Sequence, residues 1–344
     1  MASTRKAPAG LEAAGLVAVL ALIVGLMLLA FGLPSVKGGP HGVPLGVVAP
    51  PANVAAVTQA LDQAVPGGFD VRTYGDEQAL RAAIGDRDVY GGFVFGARAG
   101  KPVVHLLTAG AASPAIAQGL TAVGTALGTR AGATVIQDDV RPLPADDPRG
   151  AGLAAVGLPL VIGGLLPAVL LTRRFPGRPG VRVLAALAFA LVEGPLVASI
   201  LNWWFGSIDG NVLPVAAGLS FGMAAVSLTV LGLESLLGVA GLGLGGALFV
   251  LLGNPLSGIA AGPEFLPAGW GTFGQLMPPG ASATLLRSDA FFDGAGAARP
   301  LVVLSCWVAG ALVLNAAAGL RNRRRAATPP IPAEVAAEPR PALA

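Results

Sequence analysis

Six runs of apolar residues constrain this chain more than anything else in it. They cover 11–33, 151–172, 183–205, 212–232, 236–253 and 301–320. Crossing a hydrocarbon core takes about 20 helical residues, and each run reaches or nearly reaches that length. A helix is the open-ended element that satisfies all its backbone polar groups without water. Composition agrees, because 12% of the residues are charged against about 25% in soluble domains. The expected fold class is a polytopic α-helical membrane protein with six transmembrane helices. An extracytoplasmic α/β domain is inserted between helices 1 and 2.

Charge sets the expected orientation. Arg5 and Lys6 precede the first run; Arg173, Arg174, Arg178 and Arg182 fill the loop after the second; Arg321, Arg323, Arg324 and Arg325 follow the last. The segment 254–300 holds Arg287 and Arg299 as its basic residues, and 206–211 holds none. Basic loops stay on the cytoplasmic side, so a multi-pass plasma-membrane protein with both termini cytoplasmic is expected. The first run is read as an uncleaved anchor, since its core from Leu16 to Leu33 outlasts the 7–15 residues of a signal-peptide core. The predicted organisation is a cytoplasmic N-terminus at 1–10, an anchor at 11–33, the α/β domain at 34–150, and a five-helix membrane domain at 151–320. A disordered Pro/Ala-rich cytoplasmic tail is expected at 321–344.

Residues 34–150 alternate between two periodicities. Strands are expected at 43–48, 69–74, 89–95, 101–109 and 133–143, with helices at 53–65, 76–86 and 113–129. Ser113 followed by Pro114 is an N-cap signature. The Asp pairs at 138–139 and 146–147 are read as turn and linker solubilisers. Segment 254–300 is apolar but broken by proline and glycine. With both termini inside, it is expected to cap the outer face as re-entrant or interfacial segments shielded by protein, through Asn254, Pro255, Pro263, Pro267, Trp270, Pro278 and Pro279.

The layout of one anchor, an outer domain and five further spans resembles the ABC type-2 permease superfamily, in its phage-infection-protein-like branch. The resemblance is carried by VPLGVV at 43–48, by FDVRTYGDEQALRAAIGDRDVYGGFVF at 69–95, and by GNPLSGIAAGPEFLPAGWGTFGQLMPPGASATLLRS at 253–288. It implies a membrane permease-like component of an export system. Such a component depends on a separate ATPase and works as a homodimer or heterodimer, and its outer segment serves as gate or lid. Members dock the ATPase through a cytoplasmic coupling helix between spans two and three, where this chain has only TRRFPGRPGVR at 172–182. That departure keeps a second reading open: a non-transporting surface receptor, sensor or assembly platform on the same fold.

Glu193, in mid-span before Gly194 and Pro195, is the sharpest polar candidate. An ionised carboxylate at that depth costs about 2.5–3.5 kcal/mol. It is expected to face the bundle interior, either as a lining or proton-linked residue or as a hydrogen-bond partner for a neighbouring helix. Asn202 is a second membrane-interior polar candidate, while Glu234 is expected at the inner interface. Gly218 with Gly222, and Gly241 with Gly245, have the spacing of close helix packing; the latter pair lies in a GLGLGG run with no preceding strand to make it a nucleotide loop. The lone Cys306 excludes an intrachain disulfide. His41 and His105 have no ligand cluster in sequence, so no catalytic or metal residues, no cofactor and no enzyme activity are expected. The lipid bilayer is the expected partner, and nucleic acid is not.

Overall fold

A computed structural model describes residues 9–209 and 211–327, without the side chains of Ser35 and 322–327. Residues 1–8 of the expected cytoplasmic N-terminus and 328–344 of the expected tail lie outside the described residues. The structure is about two-thirds helical, with one small sheet.

The first helix, α1 (Ala9–Lys37), runs past the predicted anchor at both ends and through Pro34. No part of its most apolar window is buried. It stands off the remaining helices, with its main contacts to residues 247–257.

An α/β lobe follows in the order β1 (Val43–Val48), α2 (Pro51–Ala64), β2 (Phe69–Thr73), α3 (Glu77–Gly85), β3 (Gly91–Arg98), β4 (Lys101–Thr108), α4 (Pro114–Ala131) and β5 (Thr134–Asp139). The sheet order is β2-β1-β3-β4-β5. All neighbours are parallel except β3 and β4. Those two form a hairpin closed by the Arg98–Lys101 pair. Its two turn residues, Ala99 and Gly100, both have positive φ, the backbone hand that matches strand twist in a two-residue turn. Asp76 and Ser113 cap α3 and α4 by accepting from Ala79 N and Ile116 N. On one sheet face Leu45, Val47, Phe93 and Leu106 pack with Val57 and Leu61 of α2 and Ile116 and Leu120 of α4. On the other, Leu80 and Ile84 of α3 pack with Val89 and Leu107, and Phe292, from far along the chain, completes that second core.

The membrane part contains α5 (Ala151–Ala155), α6 (Gly157–Arg174), α7 (Pro179–Ser199), α8 (Val212–Leu237), α9 (Val239–Gly246), α10 (Trp270–Gly274), α11 (Pro278–Phe291) and α12 (Ala298–Ala327). The helix of α7 continues as a π-helical turn, Ile200–Trp204, and α9 continues as another, Ala247–Gly253. Among the described residues, five helical stretches are long and apolar enough to cross a membrane: Ala9–Pro34, Ala151–Arg174, Pro179–Trp204, Val212–Leu237 and Ala298–Arg321. The predicted run 236–253 forms a shorter apolar helix, Val239–Gly253. It folds back from α8 at Gly238, whose φ of 66° and ψ of −141° suit glycine alone.

Helix α8 is the axis of the bundle. It is buried over most of its length and packs against α6, α7, α9, α11 and α12. Its polar groups are satisfied locally: Ser227 Oγ donates to Gly164 O at 2.6 Å, and Asn315 of α12 donates to Leu228 O at 2.9 Å. Close approach is made by glycine. A Cβ on Gly222 would lie 2.1 Å from Ser282 Oγ, and one on Gly218 would lie 3.1 Å from an Asp289 oxygen, both across the contact with α11. Gly241 and Gly245 sit in the α8–α9 hairpin, where added Cβ atoms would meet Leu233 O at 2.2 Å and Val230 Cγ2 at 2.8 Å.

Two expectations need correction. Asp147 is a buried helix cap and not a linker solubiliser: its carboxylate accepts from Ala151 N and Gly152 N, each at 2.8 Å. Glu193 does not face the bundle interior. The buried stripe of α7 is Arg182, Ala186, Ala190, Gly194 and Ala198. Glu193 borders that stripe, half-buried, with no hydrogen bond or ion pair among the described residues.

Candidate functional site

The α/β lobe meets the segment 254–300 along a polar seam. Prolines and glycines give that segment its path. Pro255 and Pro263 open 3₁₀ turns, Pro255–Ser257 and Pro263–Phe265. Trp270 N–H bonds to Pro267 O at the start of α10, and Pro278 with Pro279 opens α11. Asn254 O accepts from Ser257 Oγ at 2.7 Å. Backbone here packs on backbone: a Cβ on Gly274 would lie 1.8 Å from Leu256 O, and one on Gly271 2.1 Å from Pro263 O. The segment is thus a folded, largely buried cap whose turns only proline and glycine allow.

Main-chain bonds hold the lobe to this cap. Beyond α1, Gly39 N donates to Phe265 O at 3.0 Å and His41 N donates to Glu264 O at 2.9 Å. Ser113 has two roles. It accepts from Ile116 N to cap α4, and its Oγ donates to Ala261 O at 2.6 Å.

Side chains close the seam. Tyr90 Oη donates to Glu264 Oε2 at 2.5 Å. Arg87 Nη1 donates to Thr284 O at 3.1 Å and to Ser288 Oγ at 2.6 Å, both on α11. Its guanidinium lies 5.1 Å from the Phe292 ring centroid, and Arg141 covers the same ring at 5.9 Å. Arg287 is buried and donates to Ile259 O. Burial, followed by the charge of Glu264, pushes the Tyr90 hydroxyl far above its ordinary range. Burial holds the Arg287 guanidinium down to about 10 and lowers Arg87 as well. At neutral pH, Tyr90 is therefore a neutral donor and Arg287 a cation.

Arg87 occupies a conformation that normally selects glycine. Arg87 N bonds to Ile84 O and Asp88 N to Ala83 O, the paired bonds of a Schellman helix end, with Arg87 at φ 65°. A non-glycine residue there costs about 1–2 kcal/mol.

Two hollows lie along the seam. One, of about 200 Å³, is lined by Arg87, Tyr90, Glu264, Gln275, Thr284 and Arg299 among others. The second, of about 140 Å³, shares Glu264, Gln275 and Arg299 and adds His41. A different pair of clefts flanks α1. One, of about 680 Å³, is apolar and lies between Leu26, Leu29 and Leu33 of α1 and Leu248, Trp270 and Phe273. The other, of about 650 Å³, lies between Phe31 and Pro34 and the cap residues Asn254, Ser257 and Ile259.

Among the residues singled out from sequence, Asn254, Pro255, Pro263, Pro267, Trp270, Pro278 and Pro279 lie in the cap, and Pro263 also lines both seam hollows. Glu193 and Asn202 belong to α7 and its π-turn and line neither hollow. With its amide turned to suit both neighbours, Asn202 donates to Ile208 O at 2.9 Å and accepts from Trp203 Nε1 at 3.0 Å. Gly218, Gly222, Gly241 and Gly245 lie at helix contacts and line neither hollow. Arg87, Tyr90 and Glu264 were not legible as a group. The one signal was compositional: Glu264, Arg287 and Arg299, with Asp289 and Asp293, are the few charges in an otherwise apolar segment.

At the opposite end of α8, Arg182 Nη1 pairs with Glu234 Oε2 at 2.6 Å, with both side chains largely buried. Arg182 Nε also donates to Phe175 O, and Arg321 donates to Ser235 O and Leu236 O at the α8 terminus. The basic loop and the end of α12 thus share one end of the bundle.

No family model matches the chain, and no curated protein or solved structure matches it, so the likeness to the ABC type-2 permeases rests on its sequence pattern and layout.

Proposed function

We propose that this chain is the membrane component of an export system for an amphipathic, lipid-like molecule, driven by a separate ATPase. The observation that carries this reading is the isolation of α1. It stands beside the bundle, flanked by an apolar cleft of about 680 Å³ and a more polar one of about 650 Å³ that reaches the cap. In a bilayer such clefts open sideways to acyl chains and end where headgroups lie, so an amphiphile could move along α1 without crossing a dry core.

The orientation follows the basic residues. Arg182 and Arg321, at one end of the bundle, face the cytoplasm, and the lobe and cap lie outside. In this arrangement Val239–Gly253 is a sixth, short crossing that reaches the cap, and a thinned bilayer accommodates its length. The chain works as a homodimer or heterodimer, with the exposed faces of α1, α7 and α12 covered by lipid or by the second bundle.

One observation favours the second reading, a non-transporting receptor or assembly platform. Between α6 and α7 lie only residues 175–178, and Arg182 ties that turn back to the bundle through Phe175 O. No helix projects there to engage an ATPase.

Purification of the full chain in mild detergent separates the two. A stoichiometric ATPase in the eluate, with ATP-dependent movement of a fluorescent phospholipid in vesicles holding both proteins, supports export. Repeated isolation without an ATPase and with no such movement leaves the platform. Protection of residues 34–150 from protease in intact cells, with cleavage in inside-out vesicles, would overturn both.

A further inference from the structure

The seam between lobe and cap contains more cationic capacity than its structural bonds use. Arg87 spends Nη1 on Thr284 and Ser288, while its Nε and Nη2 have no hydrogen-bond partner among the described residues. Arg299 is exposed, has no hydrogen bond or ion pair among the described residues, and lines both hollows. Behind them, buried Arg287 adds a third positive charge. The opposing charge at the wall is Glu264, whose Oε2 is already engaged by Tyr90. The hollow therefore has a positive excess and unspent guanidinium donors.

We infer that this hollow binds a phosphate-bearing group, clamped between Arg87 of the lobe and Arg299 in the first turn of α12. Guanidinium presents a planar fork of donors that matches phosphate oxygens two at a time. A cavity of about 200 Å³ has room for roughly six water-sized groups of about 30 Å³ each, enough for a phosphate and the first atoms of its ester. The left-handed conformation of Arg87, where glycine would end α3 at no cost, is offset by the bonds its side chain makes to Thr284 and Ser288. The bonds of Arg87 to Thr284 and Ser288 and its stacking on Phe292 hold the guanidinium in place, which lowers the ordering cost of binding. A ligand held there bridges lobe and cap. The same chemistry is offered by a soluble phosphate ester or by a phospholipid headgroup at the membrane surface. The inference stands whether or not the chain has an ATPase partner.

The test uses the full chain purified in dodecyl maltoside. Equilibrium binding is measured for sn-glycerol 3-phosphate in solution and for phosphatidic acid in mixed micelles, at constant ionic strength set with chloride. Saturable binding of either probe is expected. Arg299→Glu should weaken it about 10- to 100-fold while leaving the melting temperature unchanged, because Arg299 makes no structural bond. Arg299→Lys should retain part of the affinity. Binding of glycerol 3-phosphate with displacement of phosphatidic acid identifies a soluble ester as the ligand. Binding of phosphatidic acid alone identifies a headgroup. If neither probe binds above the chloride control, or if Arg299→Glu binds as the parent does, the inference is overturned.

Discussion

Tyr90, in the α/β lobe, donates its hydroxyl hydrogen bond to Glu264 in the cap, across 2.5 Å and 174 positions of sequence. Neither residue belongs to a regular element shared by the two parts, so the bond reports directly on whether lobe and cap are seated. Hydrogen bonds to charged groups contribute about 1.5–3 kcal/mol. Tyr90→Phe keeps the ring and leaves Glu264 unpaired. It should destabilise the protein by about 1.5–2 kcal/mol, the lower part of that range, because Glu264 is only half-buried. Urea unfolding of the detergent-solubilised chain measures this, and a change within a few tenths would show that the bond contributes nothing net.

The left-handed turn at Arg87 predicts an ordering of variants. Arg87→Ala loses the bonds to Thr284 and Ser288 and keeps the strain. Arg87→Gly loses the same bonds but relaxes the backbone, so it should be more stable than Arg87→Ala by about 1 kcal/mol. Equal melting temperatures for the two would argue against strain at φ 65°.

At the other end of α8, Arg182 and Glu234 have side chains only 9% and 14% exposed. Removing one partner of a largely buried pair leaves an uncompensated charge, at a cost of about 3–5 kcal/mol. Arg182→Met should therefore destabilise strongly. Combining it with Glu234→Leu should recover much of the loss, since a well-packed apolar pair of similar volume is often neutral. The double-mutant cycle is read from thermal unfolding. A double variant as unstable as the sum of the singles would refute the pairing argument.

Asp147 predicts an acid limb. Burial acts to raise its carboxyl, but the N–H donors of Gly152, Ala151 and Gly150 outweigh that and hold it below its ordinary 3.8. A group lowered by folding contributes stability that is present above the unfolded value and is lost as pH falls through the folded one. The parent should thus lose stability from about pH 4 downward. Asp147→Asn should be less stable at pH 7 and show a shallower fall over the same window. Identical acid profiles for the two would remove Asp147 as a source.

The lobe was legible because its elements declare themselves locally. Ser113 and Pro114 start α4, Asp76 starts α3, and the apolar positions alternate with the period of each element. The spans were legible for a similar reason, since length and hydropathy are local sums. The short sixth run was not, because a Gly-rich stretch of apolar residues conceals where a hairpin turns at Gly238 and where helix gives way to a π-turn. The seam was invisible for a different reason. Arg87, Tyr90, Glu264 and Arg299 meet only after the chain has crossed the bundle, and no periodicity links them. Asp147 was misread because an Asp-Asp pair beside proline looks solvated unless the helix it caps is placed first. Glu193 drew attention by its cost in hydrocarbon, yet it borders the packed stripe of α7 and not its centre.

Phe292 fills the α3 side of the lobe's core, although the last strand of that lobe ends at Asp139. Roughly 150 residues of synthesis separate the two, about 8–30 s at ordinary elongation rates. During that interval the face of a nascent lobe that α3 covers lacks the ring that completes its core. Birth of this protein therefore includes a waiting state, and a holdase on the side where the lobe emerges would have a definite surface to guard until the ring of Phe292 arrives.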